Sequence, residues 1–238
     1  MGLPEDRPQI TAQAQFLRHQ KELEALPLDQ RFRYIFENNL WGNEESRSGD
    51  GSTLLETRVL REAIVALLGE VGATSLLDAP CGDFNWLSGV QLNIPYTGAD
   101  IVPALIEANN QRYASPTRTF LHRDLTGTSP ADPLPPADVV LCRDCLVHLS
   151  YANIAKAFAS IRKTGARYLL TTHFTGITTN HDSADGDLRA LNFELAPFHL
   201  PPPLRIIVEN CGEAGGAFAD KSLGLWRVSD LPETLHVG

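Results

Sequence analysis

The sequence predicts an α/β fold: a seven-stranded, mostly parallel sheet that finishes in an antiparallel strand pair, with a helical cap at the N-terminus. Three observations predict it. From about residue 53 onward, short β-rich runs alternate with helical patterns, the alternation that builds a parallel sheet covered by helices on both faces. Three successive strand runs close on an acid: Asp78, Asp100 and Asp124. The last two apolar runs, Leu204 to Glu209 and Ser222 to Val228, suit an antiparallel pair that closes the sheet edge.

Taken in order, residues 10–24 and 28–39 are charge-rich. They carry Phe16, Leu17 and Leu23, then Phe32, Ile35, Phe36 and Leu40, at spacings that suit two amphipathic helices. The polar, Gly-rich stretch 41–52 is a loop. Thr53 and Glu56 form a capping box for a helix that runs to about residue 68, with Leu60, Ile64, Leu67 and Leu68 on one face. Strands are expected over 75–78, 96–101, 118–124, 138–142 and 167–172, with helices over 84–90, 104–113 and 151–164. Residues 174–203 are rich in Thr, Asn, Asp, Gly and Pro, and a loop of that length inside a compact domain is usually functional or disordered. Residues 1–51 are therefore assigned to a helical cap and lid loop, and 52–238 to one α/β domain.

Composition excludes several classes. Lys and Arg sum to 20 against 29 Asp and Glu, a net charge of −9, so the chain has no overall basic field for a nucleic-acid backbone. No apolar run approaches the about 20 residues that span a bilayer. The start Met1-Gly-Leu-Pro-Glu-Asp6 lacks the basic and apolar regions of a secretion signal, and a cytoplasmic location is expected. The 4 cysteines are too scattered for a disulfide framework. No G-x-S-x-G elbow supports a hydrolase.

The segment Leu76-Leu-Asp78-Ala-Pro-Cys-Gly82-Asp-Phe-Asn-Trp86 is a strand ending in an acid, then a tight turn with one Gly, then a helix start. In an open α/β sheet ligands sit outside the carboxyl ends of the strands, so this is a candidate nucleotide-type cofactor site. Asp100, closing the next strand, is placed to accept both hydroxyls of a ribose. A nicotinamide dinucleotide is the runner-up, but its G-x-G-x-x-G spacing is missing. The plainer alternative is that Asp78 and Asp100 merely cap strands.

The succession Asp78-Ala-Pro-Cys-Gly82, Gly98-Ala-Asp100, Arg123-Asp124 and Cys142-Arg-Asp144-Cys-Leu-Val-His148-Leu resembles the class I methyltransferases that use S-adenosylmethionine, over about residues 55–230. That resemblance implies a Rossmann-like fold and S-adenosylmethionine as cofactor. It places Gly82 against the methionine moiety, Asp100 on the ribose diol, and Asp124 with Leu125 at the adenine; Asp78, Pro80, Cys81, Ile101 and Arg143 complete the candidate cofactor set. The chain departs from the family pattern at Pro80 and Phe84, where Gly is usual. The loop Arg47-Ser-Gly-Asp-Gly-Ser52 is expected to compensate by folding over the cofactor's carboxylate, with Arg47 as counter-ion.

Asp144, His148 and His173 are the candidate catalytic residues. If a helix begins at Asp144, it shares a face with His148, so either serves as the base that takes a proton from a hydroxyl acceptor. The alternative for His148 is a hydrogen bond to a buried carbonyl. Cys142, Cys145 and His148 also have zinc-like spacing, but a nearby fourth ligand is missing and no metal is assigned. Residues 171–198 are the expected acceptor side, and Asp182, Asp185 and Asp187 there suit a divalent cation. The expected activity is O-methylation of a small hydroxylated acceptor such as a sugar, and the rival is a cofactor-binding regulatory or non-catalytic partner subunit. Phe36, Trp41 and Trp226 are candidates for a lid, for core, or for the surface of a homodimer.

Overall fold

The computed structural model describes residues 7–127 and 132–235. Seven strands form one sheet: β1 (Leu76–Asp78), β2 (Tyr96–Asp100), β3 (Arg118–His122), β4 (Val139–Cys142), β5 (Tyr168–Phe174), β6 (Arg205–Val208) and β7 (Lys221–Arg227), in the order β3-β2-β1-β4-β5-β7-β6. β1 to β5 are parallel, and β7 runs antiparallel to both β5 and β6. β1 lies between β2 and β4, with Asp78 opposite Gly98 on one side and Leu141 on the other. The order of strands therefore reverses beside β1, which makes its carboxyl end the crevice where an open sheet binds ligands.

Alternation along the strands divides the core. Leu76, Val139 and Leu141 face one layer, where Leu60, Ile64, Leu67 and Leu68 of α4 (Arg58–Glu70) pack. Leu77, Val140 and Cys142 face the other layer, with Ile154, Phe158 and Ile161 of α6 (Tyr151–Lys163) and the ring of Trp226. Each fully buried Leu or Phe here contributes about 1.5–3 kcal/mol. A further helix, α5 (Pro103–Tyr113), follows β2. Among the described residues no helix is long and apolar enough to cross a membrane.

The N-terminal segment forms α1 (Thr11–Arg18), α2 (Gln20–Glu24) and α3 (Leu28–Glu37), around their own cluster of Phe16, Leu23, Ile35 and Leu40. The segment is fastened to the loops around the sheet by polar contacts. Arg31 donates to the carbonyl of Asp185, Gln13 to that of Leu188, and Arg7 makes a two-pronged bond to Asp220.

Four expectations change. The first helix breaks at His19 into α1 and α2. Thr53 and Glu56 do not cap α4, which starts at Arg58; the Glu56 carboxylate instead accepts the amide of Gly212. No helix forms over 84–90. Phe84 takes a left-handed φ of 59° so that its ring, 1% exposed, enters the aromatic layer of Tyr96, Tyr113 and Phe120. β5 continues to Phe174, so His173 lies inside a strand rather than at a loop mouth.

Candidate functional site

At the carboxyl ends of β1, β2 and β4 lies a cleft that opens to solvent. Arg47, Asp78, Pro80, Cys81, Gly82, Asp100, Ile101, Asp124, Leu125, Arg143, Asp144 and His148 all line it, while His173 does not. Phe36 and Trp41 of the N-terminal segment form part of the same wall.

Two buried acids face this cleft. The Asp78 carboxyl accepts the Tyr96 hydroxyl at 2.7 Å, and burial pushes it up to about 8. Asp100 is pushed up to about 6 by burial, although the amides of Val102 and Gly82 donate to it at 2.9 and 3.0 Å and pull the other way. Both carboxyls therefore lack the charge partners that burial calls for. Gly82 holds a left-handed φ of 53°, and its amide points at Asp100 rather than into a helix. Past β3, Asp124 accepts the amide and the hydroxyl of Thr126.

The loop before α4 folds over the turn, where Asp83 holds it. Asp83 accepts the hydroxyls of Ser46 and Ser48 and the amide of Arg47. A Cβ at Gly82 would stand 2.2 Å from Ser48 Oγ, so glycine is what lets the loop close. Arg47 sits at the cleft wall, with its guanidinium over the Phe36 ring and donating to the Phe36 carbonyl.

Beyond β4 lies a charge network that the sequence reading missed. Arg143 Nη2 donates to Glu209 at 2.6 Å and to the Gly51 carbonyl at 2.8 Å, and Nη1 pairs with Asp144 at 3.1 Å. Lys221 Nζ donates to Asp144 at 2.6 Å. Burial pushes the Asp144 carboxyl up, but Arg143 and Lys221 outweigh it and hold the group at about 2. Asp144 is thus a fixed anion and a poor base. It does not share a helical face with His148, because it takes a φ of 49° and a 3-10 turn follows at Leu146–His148.

His148 is 6% exposed, and its Nδ1 lies 3.0 Å from the carbonyl of Asp187. A carbonyl only accepts, so Nδ1 carries the proton and Nε2 is the bare nitrogen; no partner reaches Nε2 among the described residues. Burial lowers the imidazole to about 4 against the opposing pull of Asp144 and Asp187. The Trp41 ring lies 5.2 Å away.

The other candidates serve the fold. His173 is fully buried, accepts the Phe193 amide at Nδ1 and packs on Trp226, itself a core residue bonded to the Pro201 carbonyl. The expected cation site is used up: Asp185 and Asp182 accept the amides of Ser150 and Tyr151 at the start of α6, and Asp187 accepts from Ser183 and Leu188. Arg189 ties the same loop to the carbonyls of Leu146, Val147 and Leu149. Residues 174–203 therefore brace the 3-10 turn that presents His148. Cys142 is buried within β4, and among the described residues no cluster of His, Cys, Asp and Glu suits a metal.

No family model and no curated protein match the sequence. Solved structures do match in fold. The N-methyltransferase NodS from Bradyrhizobium japonicum, in complex with S-adenosyl-L-homocysteine, superposes with a TM-score of 0.53 at 13% identity, over 82% of this chain and 97% of that one. The magnesium protoporphyrin IX methyltransferase ChlM from Synechocystis, with bound S-adenosylmethionine, gives 0.47 at 16% identity, over 66% of this chain and 81% of that one. With its strand order and its closing antiparallel pair, the chain has the fold of the class I methyltransferases that use S-adenosylmethionine.

Proposed function

We propose that this protein transfers a methyl group from S-adenosylmethionine to a hydroxyl of a small acceptor. The observation that carries the reading is the placement of two partner-poor buried acids, Asp78 and Asp100, and one bare imidazole nitrogen, His148 Nε2, on the walls of a single cleft at the switch point of the sheet. The donor set fits the cofactor. Each oxygen of Asp100 holds one amide and keeps lone-pair capacity for a ribose hydroxyl, and Asp78 offers a buried carboxyl to an ammonium. Leu105 and Leu125 supply apolar surface for a base, with Asp124 beside them.

When bound, S-adenosylmethionine supplies a methyl group on a sulfonium, an electrophile that needs no further activation. The protein's task is then alignment and proton removal. An acceptor hydroxyl held against His148 would give its proton to Nε2 on taking up the methyl group that the cofactor would supply. The Asp187 carbonyl keeps Nε2 in the accepting tautomer, and the fixed negative charge of Asp144 favours the imidazolium that results. Asp144 acts through charge and not as the base.

Calorimetric titration with S-adenosylhomocysteine, beside an Asp100→Ala variant shown to be folded, tests the reading. Micromolar binding that the variant loses supports it. Absence of binding to the folded wild-type protein refutes it.

A further inference from the structure

A second chamber adjoins the cleft and shares four wall residues with it: Trp41, Ser48, Asp144 and His148. Molecules seated in the two spaces would meet at His148. Its lining mixes apolar side chains, Ile10, Phe174, Leu188 and Phe218, with polar ones, Asp50, Glu213 and Lys221. We propose that this chamber is the acceptor site and that it takes a neutral, polyhydroxylated ring, an inference that rests on the methyl-transfer reading and names its substrate class.

Two features argue for that class. The first is the mixture of donors and acceptors. Lys221 is 4% exposed, and its ammonium spends one hydrogen bond on Asp144 and stands 4.0 Å from Glu209, which leaves N–H capacity at the chamber wall. Glu213 presents a carboxylate with no hydrogen-bonded donor among the described residues, and His148 presents Nε2. Hydroxyl groups both donate and accept, so a polyol satisfies all three at once.

The second is charge. Arg143 pairs with Glu209 and Lys221 with Asp144, so the two cations near the chamber are already matched. Asp50 and Glu213 remain as surplus acids. Burial pushes the Glu213 carboxyl up; Lys221 opposes this, while Asp144, Glu56 and Asp50 add to it. A phosphate- or carboxylate-bearing acceptor would add negative charge beside groups that already repel one another. Gly51 keeps the floor low, since a Cβ there would come within 2.9 Å of both Asp144 Oδ2 and Lys221 Nζ.

Saturation-transfer NMR on the full-length protein with S-adenosylhomocysteine present tests this with four probes: glucose, rhamnose, glucosamine and glucuronate. Transfer to glucose or rhamnose is expected, and none to glucuronate. Glu213→Gln, on a half-buried side chain, should weaken the neutral sugar about tenfold. Ala12→Trp, which fills the chamber from α1, should abolish the signal. Both variants should keep wild-type affinity for S-adenosylhomocysteine, which reports that they are folded. Transfer to glucosamine or glucuronate alone, transfer to none of the four, or a neutral-sugar signal that survives Ala12→Trp overturns the proposal while the cofactor reading stands. Failure of the wild-type protein to bind S-adenosylhomocysteine fails that reading instead, and this inference with it.

Discussion

His148 gives its Nδ1 proton to the carbonyl of Asp187 at 3.0 Å, and that one bond decides which ring nitrogen faces the cleft. The carbonyl belongs to the braced loop 174–203, so a segment with no catalytic side chain of its own sets the tautomer of the proposed base. Replacement by His148→Gln, which keeps a polar side chain without a comparable base, should lower methyl transfer about 10²–10⁴-fold. S-adenosylhomocysteine affinity should stay at the wild-type value. Full turnover in this variant would remove His148 from the mechanism.

The same imidazole makes stability depend on pH. Its folded value, about 4, lies below the ordinary 6.5, so between those values the unfolded chain takes up a proton that the folded chain refuses. Its contribution to stability is complete above pH 6.5 and falls away as the pH drops toward 4. Urea unfolding at pH 7 and pH 5 should show His148→Gln losing less stability across that interval than the wild type.

Asp78 predicts a proton released on cofactor binding. At pH 7.4 its carboxyl, pushed up to about 8 by burial, is mostly protonated in the free protein, whereas Asp100, at about 6, is already ionised. An ammonium placed beside Asp78 favours the carboxylate, so affinity for S-adenosylhomocysteine should rise with pH between 6 and 8. Titration in phosphate and in Tris should give binding heats that differ by the buffers' protonation enthalpies, with the sign of release. Asp78→Asn should remove the difference.

Glu209 neutralises Arg143 in the interior, where both side chains are almost wholly buried. Glu209→Ala leaves that guanidinium with Asp144 as its remaining carboxylate and should destabilise the fold by about 3–5 kcal/mol, read from urea unfolding. A loss below about 1 kcal/mol would show that Asp144 alone suffices, as for an exposed pair.

The Ser46–Ser48 strap hangs on Asp83, which receives both serine hydroxyls and the Arg47 amide. Asp83→Ala should release it and speed tryptic cleavage after Arg47. Bound S-adenosylhomocysteine should slow that cleavage in the wild type, since the strap lines the cleft. Equal cleavage of the variant and the wild type would show that the strap is held by other contacts.

Much of the fold was legible because it is written in short range. Leu76 and Leu77 divide between the two core layers by simple alternation, and acids at successive strand ends mark the crevice. The departures come from tertiary demands. Phe84 gave up a helix for an aromatic slot, and Glu56 left its helix end for the Gly212 amide. Asp182 and Asp185 looked like cation ligands because a solvated acid and a helix-capping acid have the same composition. The Arg143, Glu209 and Lys221 network was missed because its members are far apart in sequence. Its one local trace is Lys221 opening strand β7 two residues ahead of the apolar run Leu223-Gly-Leu-Trp226.

Ile10 before the sheet begins, and Glu213, Phe218 and Lys221 near its end, border the chamber without reaching the cleft, whereas Trp41, Ser48, Asp144 and His148 border both. Under the proposed function, a change at Glu213 or Phe218 would therefore alter the choice of acceptor while leaving the walls of the cofactor cleft as they are.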